Sequence, residues 1–96
     1  MTADPQHVTL TGTLTVPAER RAAVRVALSD HIRLTRAEPG CLRFEVTERR
    51  DQPGVFDVRE TFSDRAAFEA HQVRAGASPW ARITQGLPRD YQITQG

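Results

Sequence analysis

The sequence predicts an α+β protein built on a ferredoxin-like antiparallel sheet with its helices on one face. Four segments alternate between apolar and polar residues, with the period of two that marks a half-buried strand. The segments between them carry the apolar spacing and the end signals of helices. The resulting order of strand, long helix, strand, strand, helix, strand is the split β-α-β pattern. Because 96 residues leave no room for a second core, residues 1–96 are expected to form a single domain.

The first predicted strand covers residues 8–16, in which threonines occupy one face. The apolar face of this strand consists of Val8, Leu10, Gly12, Leu14 and Val16. Pro17 then suits the first position of a long helix over residues 17–37, which Pro39 and Gly40 end. The apolar stripe of this helix consists of Val24, Ala27, Leu28, His31 and Leu34.

Two further strands form a predicted hairpin. In the second strand, apolar residues alternate with the set Cys41, Arg43 and Glu45. The alternating apolar residues are Leu42, Phe44 and Val46. The segment ERRDQPG supplies the turn, because proline and glycine favour turns. The third strand covers residues 55–62, and one of its faces consists of Phe56, Val58, Glu60 and Phe62.

The C-terminal part is predicted to hold two helices and a strand. Ser63 and Asp64 are both favourable N-caps for a helix over residues 64–73. The inner stripe of that helix consists of Ala67, Phe68 and His71. The next four residues, RAGA, are predicted to be a loop. Pro79 then starts a short helix that carries Trp80, and residues 87–94 form the last strand. One face of this strand consists of Leu87, Arg89, Tyr91 and Ile93.

Composition excludes several classes of protein. Thirteen arginines and twelve acidic residues are mixed along the chain, so no surface for nucleic acid or an anionic membrane is expected. The absence of lysine excludes a Schiff-base mechanism, and the single cysteine, Cys41, excludes an internal disulfide. No apolar run approaches the ~18 residues of a membrane span, and the segment MTADPQHVTL lacks a signal-peptide pattern. A cytoplasmic location is therefore expected.

The second face of the predicted sheet is polar but rich in uncharged threonines. It carries Thr9, Thr11, Thr13, Thr15, Arg43, Glu45, Asp57 and Arg59. In an antiparallel sheet such a face either meets water or packs against a second copy of the chain in a two-fold dimer. The pattern alone favours water.

Three polar residues fall on apolar faces: His31, His71 and Glu60. If these faces meet in the layer between sheet and helices, two imidazoles and a carboxyl group share an apolar space. A buried carboxylate is costly unless it is paired or protonated, and a histidine beside it supplies a partner. Such a pair can also move a proton on or off a substrate near neutral pH. In the alternative interpretation, all three are hydrogen-bonded core residues.

Three more residues are candidates for contact with a ligand. Arg89 and Tyr91 share a strand face and can orient a phenolic or acidic group, and Trp80 can form a pocket wall. In the alternative interpretation these residues are structural. A metal site is disfavoured, because no two of the candidate histidines and the glutamate have the local i, i+4 spacing that places ligands together.

Two segments of the chain resemble the antibiotic biosynthesis monooxygenase family. They are Glu38-Pro39-Gly40-Cys41-Leu42-x-Phe44-Glu45 and Phe56-x-Val58-x-Glu60-x-Phe62-x-Asp64-x-x-Ala67-Phe68-x-x-His71. The resemblance extends from the first strand to the strand of Tyr91. Phe62 is a departure, because members often carry tryptophan at this position. Haem degradation is not expected either, since the first strand offers threonine and glycine where haem-degrading relatives use asparagine.

The resemblance implies a dimeric α+β barrel in which two protomers pack sheet against sheet, which reverses the expectation of a water-facing sheet. It also implies a monooxygenase that uses no metal, flavin or haem and oxidises a small aromatic quinol, naphthol or anthrone with O2. The pocket would lie between sheet and helices, with His71 and Glu60 as catalytic residues. The substrate-binding residues would be Phe62, Phe68, Trp80, Arg89, Tyr91 and His31.

Two other functions remain open at the level of sequence. The first is a non-catalytic dimeric module that binds a small aromatic metabolite in the same pocket. Such a module needs no base, so a ligand would stabilise it without any uptake of oxygen. The second is a dimer with a filled core and no site, in which the buried polar residues are merely satisfied by hydrogen bonds.

Overall fold

The structure, a computed structural model, describes residues 5–96 and confirms the predicted α+β fold. The elements are β1 (Val8–Thr15), a 3-10 turn (Ala18–Arg20), α1 (Arg21–Arg36), β2 (Cys41–Glu48), β3 (Val55–Phe62), α2 (Arg65–Gly76), α3 (Pro79–Ile83) and β4 (Arg89–Gln95). The strands form one antiparallel sheet in the order β2-β3-β1-β4. This is the ferredoxin-like order, with the first and third strands in the centre.

The core lies between the sheet and the helices in two clusters of apolar side chains. The first cluster consists of Val8, Leu10, Val58, Phe62 and Phe68. The second cluster consists of Leu14, Val16, Val24, Phe56 and Leu87. Both draw on alternate residues of β1 and β3, because successive side chains of a strand point to opposite faces of the sheet. The predicted apolar faces of these two strands are thus confirmed.

The long helix differs from the prediction at both ends. Its first turn is a 3-10 turn that Pro17 precedes as an extended cap, and the α-helix begins only at Arg21. Near its end, the predicted inward position of Leu34 is wrong, since 40% of this side chain is exposed. Thr35 is buried in its place, one turn after His31, and its hydroxyl accepts a hydrogen bond from Arg74.

A β-bulge at the start of β2 overturns the predicted alternation. Cys41 lies opposite Phe62 and Arg43 lies opposite Thr61, so Leu42 is the extra residue between them. Leu42 is therefore 54% exposed, although the alternation places it on the same face as Phe44. Cys41 packs against the first core cluster instead.

The helix α2 begins as predicted and ends later. Its N-cap is Asp64, whose carboxylate accepts a hydrogen bond of 2.8 Å from the backbone N–H of Ala67. The predicted RAGA loop is wrong, because the helix continues to Gly76 through good helix-forming alanine and arginine residues. The added turn contains Arg74, which contributes to the candidate site. Among residues 5–96, no helix is long and apolar enough to cross a membrane.

Gly12 allows β1 and β4 to approach each other. Its φ angle is +152°, and a Cβ atom built there would lie 1.9 Å from the carbonyl oxygen of Asp90. We expect Gly12→Ala to lower the free energy of unfolding by about 3 kcal/mol, because the strained backbone and the displaced strand both cost energy. Gly76→Ala is the control, since no atom lies within 4 Å of its added Cβ. Equal stability of the two variants in urea unfolding would contradict this account.

Candidate active site

A cavity of about 460 Å³ opens between the inner face of the sheet and the helices. Every strand of the sheet except β2 contributes to its wall, and so do all three helices. Of the eight residues predicted for the site, six line this cavity: His31, Glu60, His71, Trp80, Arg89 and Tyr91. The other two, Phe62 and Phe68, lie behind the wall in the first core cluster.

His71 and Glu60 lie side by side in the wall of this cavity. The Nε2 atom of His71 lies 3.6 Å from the Oε1 atom of Glu60. Both residues are buried, with 4% and 7% of their surface exposed, because α2 and β3 turn these faces toward the core. Among residues 5–96, the Glu60 side chain forms no ion pair with an arginine. Within the same residues, it also forms no hydrogen bond shorter than this 3.6 Å contact with His71. The structure therefore brings together the imidazole and the carboxyl group that the sequence singled out.

Glu38 fixes the orientation of the His71 ring. Its Oε1 atom lies 2.8 Å from the Nδ1 atom of His71, and its Oε2 atom accepts a hydrogen bond from the Nε atom of Arg74. Both carboxylate oxygens thus face N–H donors, so Nδ1 of His71 carries a hydrogen and donates it. In the neutral ring, Nε2 is then left without a hydrogen and faces Glu60.

Sequence reasoning did not assign Glu38 a role in the site. In the sequence, Glu38 stands out only as the first residue of the segment that resembles the family. Glu38 lies in the turn after α1, and its partner His71 follows 33 residues later on α2. Contacts between distant elements leave no periodic signal, so the only available sign was an acidic residue directly before a Pro-Gly turn.

Burial shifts the protonation of the pair toward the neutral forms. It raises the pKa of Glu60 to about 7, and the nearby charge of Glu38 adds to the effect. Burial also lowers the pKa of His71, against the opposing effect of its hydrogen bond to Glu38. Near neutral pH, His71 is therefore an uncharged base, while the Glu60 carboxyl group is able to hold a proton.

His31 forms an aromatic wall rather than a second base. Its ring stacks on Trp80 at a centroid distance of 4.7 Å and meets the ring of Phe44 edge-on at 5.3 Å. Burial lowers the pKa of His31 to about 4, and the charges of His71 and Arg74 act in the same direction. Its Nδ1 atom is buried without a hydrogen-bond partner among residues 5–96. The ring is therefore uncharged near neutral pH.

Phe62 and Phe68 support the site from the core. Phe62 stacks on the His71 ring at a centroid distance of 4.9 Å, and Phe68 packs edge-on against Phe62 at 5.7 Å. Stacking on Phe62 thus fixes the plane of the imidazole ring, and the hydrogen bond to Glu38 fixes which ring nitrogen faces the cavity. The structure gives these phenylalanines a supporting position, whereas the sequence placed them in contact with substrate.

Arg89 and Tyr91 lie at the β4 side of the cavity. The Nη2 atom of Arg89 donates a 2.6 Å hydrogen bond to the carbonyl oxygen of Thr84, which ties its guanidinium to the end of α3. Burial raises the pKa of the Tyr91 hydroxyl, so this group is protonated near neutral pH and can donate a hydrogen bond. Among residues 5–96, no three His, Cys, Asp or Glu side chains are arranged to hold a metal ion.

The fold and the cavity define a small ferredoxin-like protein with a buried histidine and a buried glutamate in contact in the wall of a pocket between sheet and helices. The family model described as "Antibiotic biosynthesis monooxygenase" matches residues 7–80. The chain belongs to the antibiotic biosynthesis monooxygenase family. A search of curated proteins finds no match.

Solved structures share this fold over almost the whole chain. A protein from Nitrosomonas europaea that carries the family's name is 21% identical, with a TM-score of 0.83 over 100% of this chain and 95% of its own. One from Deinococcus radiodurans with the same family name is 27% identical, with a TM-score of 0.75 over 93% and 91%. SnoaB from Streptomyces nogalater, described as a cofactor-independent oxygenase, is 18% identical, with a TM-score of 0.78 over 95% and 93%.

The raised pKa of Glu60 predicts a pH-dependent stability. In the unfolded chain this carboxyl group titrates near 4.5, and in the folded chain at about 7. Between these values the folded state binds more protons, so the contribution of Glu60 to stability is lost as the pH rises. Glu60→Gln removes this titration. From about pH 4 to about pH 8, we expect the variant to gain up to about 3 kcal/mol of unfolding free energy relative to the wild type.

Urea unfolding of the variant and the wild type across this pH range measures the difference, in which groups that do not contact Glu60 contribute equally to both proteins. Glu69→Gln is the matched control, because Glu69 is exposed on α2. Its stability should follow that of the wild type at each pH. A Glu60→Gln curve that runs parallel to the wild-type curve over the whole range would refute the shift.

Proposed function

We propose that this protein is a cofactor-independent monooxygenase that oxidises a small aromatic quinol, naphthol or anthrone with O2. The observation that carries the proposal is the His71 ring, held at Nδ1 by Glu38 and open at Nε2 toward Glu60 and the cavity. Membership of the monooxygenase family and the description of SnoaB as a cofactor-independent oxygenase support the same activity. The substrate class itself rests on the family resemblance of the sequence.

The first task of such an enzyme is to make the substrate electron-rich. An aromatic anion reduces O2 far more readily than its neutral parent, so a proton must be removed first. The Nε2 atom of His71 is the base that takes the phenolic or benzylic proton. The imidazolium that forms is stabilised by the carboxylate of Glu38 at its other nitrogen.

The second task is to pass electrons to O2 and release water. The anion reacts with O2 to form a peroxide on the substrate carbon, and the imidazolium of His71 protonates the outer oxygen of that peroxide. His71 then removes the remaining hydrogen of the same carbon, so that a carbonyl group forms as the oxygen–oxygen bond breaks and hydroxide departs. One oxygen atom stays in the product and the other leaves as water, so an anthrone yields an anthraquinone with no external reductant. The departing hydroxide needs a proton, and the carboxyl group of Glu60 supplies it, because burial raises its pKa to about 7.

The remaining wall residues orient the ring and exclude water. Trp80 and His31 present a stacked, uncharged aromatic surface to the substrate. Tyr91 donates a hydrogen bond to a ring oxygen from the β4 side. A wall of this kind strengthens the electrostatic interactions of the developing anion, because little water screens them.

We further propose that the protein works as a homodimer whose protomers pack through the open faces of their sheets. This face is polar and largely uncharged along β1, and the hydroxyl group of Thr9 lies 3.2 Å from that of Thr61 on the neighbouring strand β3. A self-complementary face of this kind suits a two-fold interface. The cytoplasmic location stays a prediction from the sequence.

Replacement of the base tests the activity. We expect His71→Gln to lower protein-dependent oxygen uptake with hydroquinones, naphthols or anthrones by about a hundredfold or more, because it removes general-base catalysis. An oxygen electrode and metal-stripped protein provide the measurement. Val73→Ala is the control, since Val73 is exposed on the same helix and outside the cavity. It should retain wild-type uptake.

Two results would count against the oxygenase. Equal uptake by His71→Gln and the wild type would exclude His71 as the base. No uptake across the panel, together with thermal stabilisation by one of the same compounds, would favour the non-catalytic binding module.

A further inference from the structure

We propose that the same cavity catalyses a second reaction that needs no oxygen: the keto–enol isomerisation of benzo-fused bicyclic ketones that carry a benzylic methylene beside the carbonyl group. The reaction uses His71 Nε2 to remove a proton from the carbon beside the carbonyl group and the Glu60 carboxyl group to protonate the carbonyl oxygen. This inference rests on the role of His71 in the proposed function. It adds a class of substrate whose reaction consumes no O2.

The distance between the two groups suits this reaction. Nε2 of His71 and Oε1 of Glu60 are 3.6 Å apart, which is longer than a direct hydrogen bond. In a ketone, the carbon that loses its proton and the carbonyl oxygen are about 2.4 Å apart, from the bond lengths of the unit. A ketone that lies alongside the pair therefore presents its carbon to Nε2 and its carbonyl oxygen to Oε1, each within reach of its partner.

The hydrogen-bond partners of His71 and Glu60 assign the role of base to His71 and the role of acid to Glu60. His71 donates its Nδ1 hydrogen to Glu38, so only Nε2 is free to accept a proton. Glu60 has no arginine or backbone N–H partner among residues 5–96, and such partners would hold it as a carboxylate. The guanidinium of Arg74 is bound to Glu38 and Thr35. Glu60 is thus free to carry a proton toward the cavity.

The other polar groups of the wall are less suited to the role of the acid. The Nη2 and Nε atoms of Arg89 donate to the carbonyl oxygens of Thr84 and Leu87. A guanidinium also does not give up its proton in a protein. Tyr91, whose pKa is raised by burial, is a weaker acid than a free phenol. The geometry leaves Glu60 as the proton donor.

The reaction balances without an oxidant. The C–H bond breaks, its electron pair forms the carbon–carbon double bond of the enol, and the proton moves to Nε2 of His71. The carbonyl oxygen takes the proton of Glu60. In the reverse direction the enol returns its O–H proton to Glu60, and the carbon takes a proton from the imidazolium. When that proton has exchanged with deuterated water, the ketone gains deuterium at this carbon.

Anaerobic hydrogen–deuterium exchange measures this activity directly. The probe is 2-tetralone in deuterated buffer without O2, and proton NMR follows the loss of the signal from its benzylic methylene beside the carbonyl. We expect the wild type to exchange this position about a hundredfold faster than an equal concentration of free imidazole. His71→Gln should abolish the acceleration. Glu60→Gln should lower it at least about tenfold, because its amide is a poor proton donor.

Glu69→Gln is the matched control, and circular dichroism of every variant shows that it is folded. No acceleration by the wild type, or an unchanged rate in folded Glu60→Gln, would overturn the inference. The exchange and oxygen-uptake experiments together distinguish the isomerase activity from the oxygenase activity. Exchange without oxygen uptake on the aromatic panel would uphold the isomerase and remove the oxygenase, whereas uptake without exchange would do the reverse.

Discussion

The contact between the Glu38 carboxylate and Nδ1 of His71 holds the rest of the site in place. It joins the turn after α1 to the middle of α2, and Arg74 extends it to the hydroxyl group of Thr35. A hydrogen bond to a charged group contributes about 1.5–3 kcal/mol, but burial of the ion pair offsets much of this gain. The main effect of the network is therefore orientation. It commits Nδ1 of His71 to Glu38 and leaves Nε2 to the cavity.

Burial of Glu60 is the second constraint, and its effect depends on the first. An isolated carboxylate in an apolar layer is costly, and burial moves the pKa of Glu60 to about 7. The charge of Glu38 acts in the same direction, because like charges disfavour each other. Arg74 pairs with Glu38 and not with Glu60, so the two carboxyl groups have different roles. One orients the base, and the other is able to hold a proton near neutral pH.

The sequence predicted the fold and the three buried polar residues because both depend on periodicity. Strict alternation located β1 and β3, and the same parity placed Glu60 inward. Errors arose where tertiary contacts override the local pattern. The bulge turns Leu42 outward, and Thr35, whose hydroxyl group accepts a hydrogen bond from Arg74, is buried in place of Leu34. The Glu38–His71 contact spans 33 residues and two elements, so no spacing rule indicates it.

The central claim is that folded His71 offers an unprotonated Nε2 to the cavity. Nitrogen-15 NMR of the uniformly labelled protein at neutral pH tests it directly, since the two ring nitrogens have distinct shifts when only one carries a hydrogen. We expect a neutral His71 ring with hydrogen on Nδ1 and a bare Nε2. A ring with hydrogen on Nε2, or a fully protonated imidazolium at neutral pH, would contradict it.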